Sequence, residues 1–223
     1  KLPYNLTKSG RKYFAQFGQD EFISKIFQNK RDGYFVEAGA LDGEWLSNTL
    51  YFERELGWKG LLIEPTPESF DKLLSKNRKS VALNACLSPN TTAMELPFRR
   101  VAAGKDSLNK ILLGVKGYKP NLRIMSIKTV PCYPFYSILQ AVGNPIIDFF
   151  SLDVEGAEMM ILKTIPWEKV NIRLLCIEVN HVPGGLNGVK LYLEKKGYTF
   201  YTRYGIDGYF YRADLADGMS LNK

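Results

Sequence analysis

The sequence predicts an α/β fold, a mostly parallel sheet covered by helices on both faces. Three observations carry this. Short apolar runs alternate with helix-spaced amphipathic stretches along most of the 223 residues. The runs are mostly apolar, as in strands buried on both sides, instead of strictly alternating polar and apolar. The first run breaks into a turn carrying Gly39 and Gly43, the kind of place where a parallel sheet opens to a ligand.

In chain order, residues 1–15 read as an arm without periodicity, and residues 16–223 as one domain. Asp20 is placed to cap a helix carrying Phe22, Ile23, Ile26 and Phe27 at helical spacing. Tyr34–Ala38 follows Asp32-Gly33 as the first strand. A helix is expected from about Glu44 to Glu55, stopping at Gly57. Gly60–Glu64 is the second strand, ended by Pro65 and Pro67; Phe70, Leu73 and Leu74 mark the next helix, and Val81–Leu87 the third strand. Residues 89–134 are irregular, with strand-like pieces at 93–98 and 123–130, and read as an insertion or lid too thinly apolar to hold its own core. Alternation then resumes: a strand at Ile146–Leu152, a helix at Glu158–Thr164, a strand at Arg173–Val179 and a helix at about Gly188–Lys196. Tyr198–Tyr201 and Tyr209–Arg212 form a closing antiparallel pair.

With 45% hydrophobic and 13% aromatic residues the chain builds a substantial core, which excludes a disordered protein. The net charge of +7 comes from scattered Lys and Arg. No basic stripe with interleaved aromatics is present, so no nucleic-acid partner is expected. Lys76-Asn77-Arg78-Lys79 and Lys195-Lys196 read as solvated ends of helices. Cys86, Cys132 and Cys176 have no metal-type spacing. Cys86 and Cys176 lie in apolar runs and read as buried free thiols, with one bridge left open. No signal peptide or apolar span of about 20 residues occurs, although a trimmed anchor stays open. Asn5-Leu6-Thr7 and Asn90-Thr91-Thr92 are N-glycosylation acceptors, and they lean toward the secretory lumen, ER or Golgi, over the cytoplasm.

The chemistry-bearing residues stand at strand ends. Glu37-Ala38-Gly39-Ala40-Leu41-Asp42-Gly43 forms a turn whose glycines let a ligand approach the backbone. It lacks the dinucleotide glycine pattern and the phosphate-loop ending. Carboxylates at Glu37 and Asp42 would repel a pyrophosphate but suit a ligand with a cationic amino-acid end and a sulfonium, namely S-adenosylmethionine. Glu64, ending the second strand, can accept hydrogen bonds from both hydroxyls of a ribose. Asp153, Glu155 and Glu158 follow the fourth long apolar strand. Asp153 and Glu155 could orient an acceptor hydroxyl, take its proton or bind a metal, while Glu158 suits a helix N-terminus. His181, the only histidine, lies just past another strand end, where its ordinary pKa of about 6.5 suits a base.

These residues resemble the FkbM-type methyltransferases, a branch of the class I, Rossmann-like enzymes, over roughly residues 16–212. The resemblance is carried by Gln16-Phe17-Gly18-Gln19-Asp20, Phe35-Val36-Glu37-Ala38-Gly39-Ala40-Leu41-Asp42-Gly43, Leu62-Ile63-Glu64-Pro65 and Leu152-Asp153-Val154-Glu155-Gly156-Ala157-Glu158. Glu44–Leu50 and Gly57–Leu61 are similar to the animal subgroup that includes the insect protein Star. The resemblance implies a seven-stranded sheet with a final antiparallel strand, and O-methylation of hydroxyls on sugars, glycans or similar scaffolds. It implies cofactor methionine near Glu37 and Gly39, with Ala40 and Asp42 beside them, and ribose near Glu64 and Pro65. Adenine would lie near Ala85, Cys86 and Leu87. Ser47, Asn48 and Thr49 would reach the cofactor or acceptor, with simple packing open for Thr49, and Gln19 and Asp20 would close over the cofactor.

The expected reaction is in-line displacement, an acceptor oxygen attacking the methyl carbon as sulfur leaves. Asp153 is the first candidate base, with Glu155 and His181 behind it. A divalent cation on Asp153, Glu155 and an acceptor diol is compatible with the cluster but not demanded by it. Tyr118, Tyr133, Phe135 and Tyr136 are placed to shape the acceptor pocket. Two other classes stay open: a non-catalytic methyltransferase-like binding or trafficking module, and a nucleotide-sugar or dinucleotide enzyme. Intact Glu37, Gly39, Glu64 and Asp153 argue against the first, and the missing glycine pattern against the second. The Asn/Asp-Pro-Pro-aromatic signature of base methylation is absent.

Overall fold

The computed structural model describes residues 2–103, 106–111 and 124–221, and the side chains of residues 2–98 and 127–221. Tyr118 lies outside the described residues. The elements begin α1 (Gln19–Ile26), β1 (Tyr34–Ala38), α2 (Leu50–Leu56), β2 (Lys59–Ile63), α3 (Pro67–Ser75) and β3 (Val81–Leu83). Next come β4 (Cys86–Leu87), β5 (Met94–Ala103), β6 (Asp106–Ile111), β7 (Ile124–Tyr133) and α4 (Phe135–Ala141). The chain closes with β8 (Ile147–Leu152), α5 (Glu158–Thr164), β9 (Ile172–Glu178), α6 (Gly185–Glu194), β10 (Tyr198–Tyr204) and β11 (Asp207–Arg212).

The main sheet has seven strands in the order β10-β11-β9-β8-β1-β2-β3. Pairings among β1, β2, β3, β8 and β9 are parallel, and β11 runs antiparallel to both of its neighbours. Because strand side chains alternate, each central strand feeds two cores. Val36, Leu61, Phe150 and Leu175 pack with Leu139 of α4, Ile161 and Leu162 of α5, and Val189 and Leu193 of α6. Their neighbours Phe35, Leu62, Phe149 and Leu174 pack on the other face with Ile23, Ile26, Phe52 and Leu73 from α1, α2 and α3. Most of these side chains are essentially inaccessible, and each contributes about 1.5–3 kcal/mol by burial. This confirms the expected sheet with helices on both faces.

Residues 44–49 are not helical, and α2 begins only at Leu50. Glu37 explains the difference. It accepts hydrogen bonds from the Asn48 amide and from the Ser47 and Thr49 hydroxyls, which folds this stretch into a loop. The expected third strand splits in two, β3 in the main sheet and β4 in a second sheet. At the break, Asn84 Nδ2 donates to the carbonyls of Glu64 and Pro65. The supposedly irregular stretch forms most of that second sheet, of order β4-β7-β5-β6. It has a small core of Cys86, Leu96, Phe98, Val130 and Cys132.

Cys86 and Cys132 face each other in the β4–β7 pairing and form a disulfide, which corrects the free-thiol reading; Cys176 is a buried free thiol. Helix α4 was not foreseen. Its Phe135 stacks on Phe150 with ring centroids 4.6 Å apart. Lys76 and Arg78 are not a solvated cap. Lys76 pairs with Glu44 at 2.6 Å, and Arg78 with Glu53 at 3.0 Å, the second pair being almost wholly buried. Asp20 lies inside α1, whose N-cap is Gly18, and it accepts the amides of Phe14 and Ala15, pinning the end of the arm. No described helix is long and apolar enough to cross a membrane.

Candidate functional site

The carboxyl ends of β1, β2, β8 and β9 meet at one edge of the sheet. Antiparallel β11 brings its first residue to the same edge, with Asp207 in register opposite Glu178. A cavity of about 280 Å³ opens there, closed on one side by β4 and β5 through Cys86, Leu87 and Phe98. Six carboxylates line it: Glu37, Glu64, Asp153, Glu155, Glu178 and Asp207. Among the described residues lining it, none is Lys or Arg. The charge pattern is therefore opposite to that of the chain as a whole.

Glu64 is held by the turn it serves. Its Oε2 accepts the Leu41 amide at 3.0 Å and its Oε1 the Thr66 amide at 2.9 Å. This fixes the plane of the carboxyl group and leaves one acceptor direction on each oxygen. Burial raises its pKa to about 7, against the lowering effect of those amides. Glu37 is buried as well, and burial raises its pKa against Arg78 and its hydroxyl donors. Both its oxygens are engaged by residues 47–49, so it shapes the wall more than it offers a free ligand group. Asn48 also lines the cavity. Its Nδ2 donates to Ser151 Oγ at 2.9 Å, while its buried Oδ1 has no hydrogen-bond partner.

Gly39 has φ +91°, and a Cβ on it would sit 2.0 Å from the Asp153 carbonyl oxygen. The glycine is thus required by the closeness of β1 and β8, not only by a ligand. At Gly43 (φ +76°) a Cβ would meet Leu73 and Arg78 side chains, so protein again fills the space reserved for a ligand by the sequence reading.

Beyond β8, Glu155 adopts φ +60°, a conformation disfavoured for a residue with a Cβ. Its carboxylate lies 3.6 Å from His181 Nδ1, which is 2.7 Å from Glu178 Oε1. Glu158, at the start of α5, accepts the Val154 and Gly156 amides and orders this loop. Burial raises the Asp153 pKa to about 8, helped by the charges of Glu155, Glu158 and Asp207. Burial likewise raises Glu178 to about 9, with Asp153 the next cause.

Of the residues singled out in the sequence, Asp153, Glu155, His181, Gln19, Glu37, Gly39, Asn48, Glu64, Pro65, Cys86 and Leu87 all border the cavity. Five others do not. Asp20 is spent on the arm, and Ala40 packs in the core while its amide binds the Ile63 carbonyl. Asp42 accepts the Glu44 and Trp45 amides in its own turn, and Ser47 and Thr49 point to Glu37 and Arg78. Tyr133, Phe135 and Tyr136 are not among the lining residues either. The sequence reading missed Glu178 and Asp207. Glu178 carries the same signal as Glu64, an acid at the end of an apolar strand. Asp207 could be found only by knowing that β11 runs backwards and hydrogen-bonds through it to Gln19 Nε2 at 2.9 Å.

The family model described as the methyltransferase FkbM domain matches residues 37–200. No curated protein sequence matches the chain. Three solved structures are similar to it at low identity. The human methyltransferase 10 domain containing protein is 10% identical, with TM-score 0.44 over 95% of this chain and 85% of its own. TrmK of M. capricolum, in complex with S-adenosyl-homocysteine, is 9% identical, with TM-score 0.44 over 89% and 68%. The delta-N METTL16 methyltransferase domain is 11% identical, with TM-score 0.41 over 86% and 77%.

Proposed function

The chain belongs to the methyltransferase FkbM domain family, and from that premise we propose that it transfers a methyl group from S-adenosylmethionine to a hydroxyl oxygen. The observation that carries this reading is the make-up of the cavity: six carboxyl groups, five of them with pKa raised by burial so that they favour a positive guest, and no Lys or Arg among its described lining residues. A pyrophosphate-bearing dinucleotide would be repelled there, whereas a ligand with an ammonium and a sulfonium is attracted.

The residues present fit that cofactor. Glu64, with one free acceptor direction on each oxygen, suits the two ribose hydroxyls. The partnerless Asn48 Oδ1 suits the ammonium group, since a buried acceptor without a donor is costly. Pro65, Cys86 and Leu87 offer an apolar wall for a flat base. When bound, the cofactor supplies an electrophilic methyl group whose transfer neutralises the sulfonium.

The protein's own contribution is positioning, which is worth several kcal/mol in such displacements, together with removal of the acceptor proton. Asp153 follows β8 directly and lines the cavity together with Glu64, Glu155 and His181. In its ionised form it takes the hydroxyl proton as the oxygen–carbon bond forms. Asn180, Gln16 and Glu155 border the same space and offer the mixture of donors and acceptors that a sugar or glycan presents hydroxyls to.

The test is incubation with isotopically methyl-labelled S-adenosylmethionine and a panel of free sugars and glycans, with mass-spectrometric location of the label. Label on a hydroxyl oxygen is expected, falling by about 10²–10⁴-fold in Asp153→Asn while cofactor binding persists. Label on nitrogen or carbon would contradict the reading.

A further inference from the structure

We propose that Glu155, Glu178 and His181 form a binding site for one first-row divalent cation at the mouth of the cavity. The sequence reading paired Asp153 with Glu155 for a metal. The structure instead gathers Glu155 from the loop after β8, Glu178 from the last position of β9 and His181 three residues further on. His181 Nδ1 is 2.7 Å from Glu178 Oε1 and 3.6 Å from Glu155 Oε2. One donor atom from each of the three lies within 4.8 Å of the others. Ligands held at about 2.1 Å from a cation are about 3.0 Å apart along an octahedral edge and about 3.4 Å apart in a tetrahedron. The observed separations bracket those values, so only small side-chain movements would be needed.

A second observation points to a positive ligand. Glu178 is 3% exposed, and its other oxygen, Oε2, is buried with no hydrogen-bond partner. Asp153 and Glu158 each present an oxygen to the same carboxylate, again within 4.8 Å. Carboxyl oxygens facing one another in a buried place are held together either by protons or by a cation between them, and a divalent cation would take the place of those protons. The cavity lining supplies no Lys or Arg among the described residues.

The donor set fixes the class of ion. Two carboxylates select for hard divalent cations, and one imidazole shifts the preference from Mg²⁺ and Ca²⁺ toward Mn²⁺, Fe²⁺ or Zn²⁺. The imidazole is 45% exposed and the Glu155 side chain 18%. The outer hemisphere of the ion would therefore face the cavity, with positions left for an acceptor oxygen. An acceptor hydroxyl bound there would ionise more readily. That role rests on the methyltransferase reading above, whereas the existence of the site does not.

The experiment titrates the metal-stripped full chain with Mn²⁺, with no cofactor present, and follows free Mn²⁺ by electron paramagnetic resonance. One Mn²⁺ per chain is expected. His181→Ala and Glu155→Gln, on the outer side where folding is least at risk, should each weaken binding by at least about tenfold. Glu178→Gln should remove it. Calorimetry with S-adenosylmethionine on the same metal-free samples reports the cofactor site independently. Absence of stoichiometric Mn²⁺ binding, or binding unchanged in both outer variants, overturns the proposal, whatever the cofactor result.

Discussion

Glu37 near the end of β1 and Glu64 just past the end of the adjacent β2 are both buried. Their partners divide them. Glu37 is saturated by the loop it folds, and Glu64 is only half used, by two amides that orient it. The consequence is a pH signature. Burial raises the pKa of Glu64 from its ordinary 4.5 to about 7. In the folded state it holds a proton that the unfolded chain has already released between those pH values. Its contribution to stability is thus fully present below about 4.5 and lost as pH rises through about 7. From the size of that shift the loss is about 3 kcal/mol. Urea denaturation of the ligand-free protein over this range should show wild type losing that amount relative to Glu64→Gln; parallel profiles would contradict the assignment. The sequence made Glu64 legible because an acid at the end of an apolar strand needs no tertiary knowledge. Ser47 and Thr49 were misread because the direction of their hydroxyls depends on Arg78, which arrives from beyond α3 to donate to both.

Among elements, the parallel strands β1, β2, β8 and β9 were readable within a residue, since runs such as Tyr34–Ala38 and Ile147–Leu152 are mostly apolar and flanked by breakers, whereas β3 and β10 missed by three or four residues. Boundaries failed where side chains captured the backbone. Residues 44–49 have a plausible helical pattern but are drawn off by Glu37, and Val81–Leu87 splits where Asn84 binds two carbonyls. The second sheet was unreadable as such because its pairings are non-local and its core small.

Among the described glycines the tightest approach is at Gly39, just past β1, where an added Cβ would meet the backbone of Asp153. Gly143 supplies a control: it has a similar φ, +86°, with nothing within 4 Å of an added Cβ. Gly143→Ala should therefore cost only the left-handed penalty of about 1–2 kcal/mol. Gly39→Ala should cost at least about 2 kcal/mol more, from overlap that backbone cannot relieve. Equal losses in denaturant titrations would show that β1 and β8 are not held this closely.

At the scale of the whole molecule, charge is segregated. The chain carries +7 overall, yet its one edge of converging strand ends collects six acids from positions as distant as Glu37 and Asp207. The parallel sheet does this by bringing four carboxyl ends together, and the reversed strand β11 adds a fifth contributor. That convergence was partly legible: Glu37, Glu64, Asp153 and Glu155 are named from their strand ends, Glu178 carries the same signal and was overlooked, and the turn that delivers Asp207 could not be read. An electronegative cavity beside a half-satisfied Glu64 is the centre of the account. Isothermal calorimetry of the purified chain with S-adenosylmethionine, and with NAD⁺ as the dinucleotide control, tests it most directly. The account predicts micromolar binding of S-adenosylmethionine that weakens at least about tenfold in Glu64→Ala, which loses hydrogen bonds to both hydroxyls, and no binding of NAD⁺. A folded wild type that binds NAD⁺, or that binds neither ligand, would contradict it.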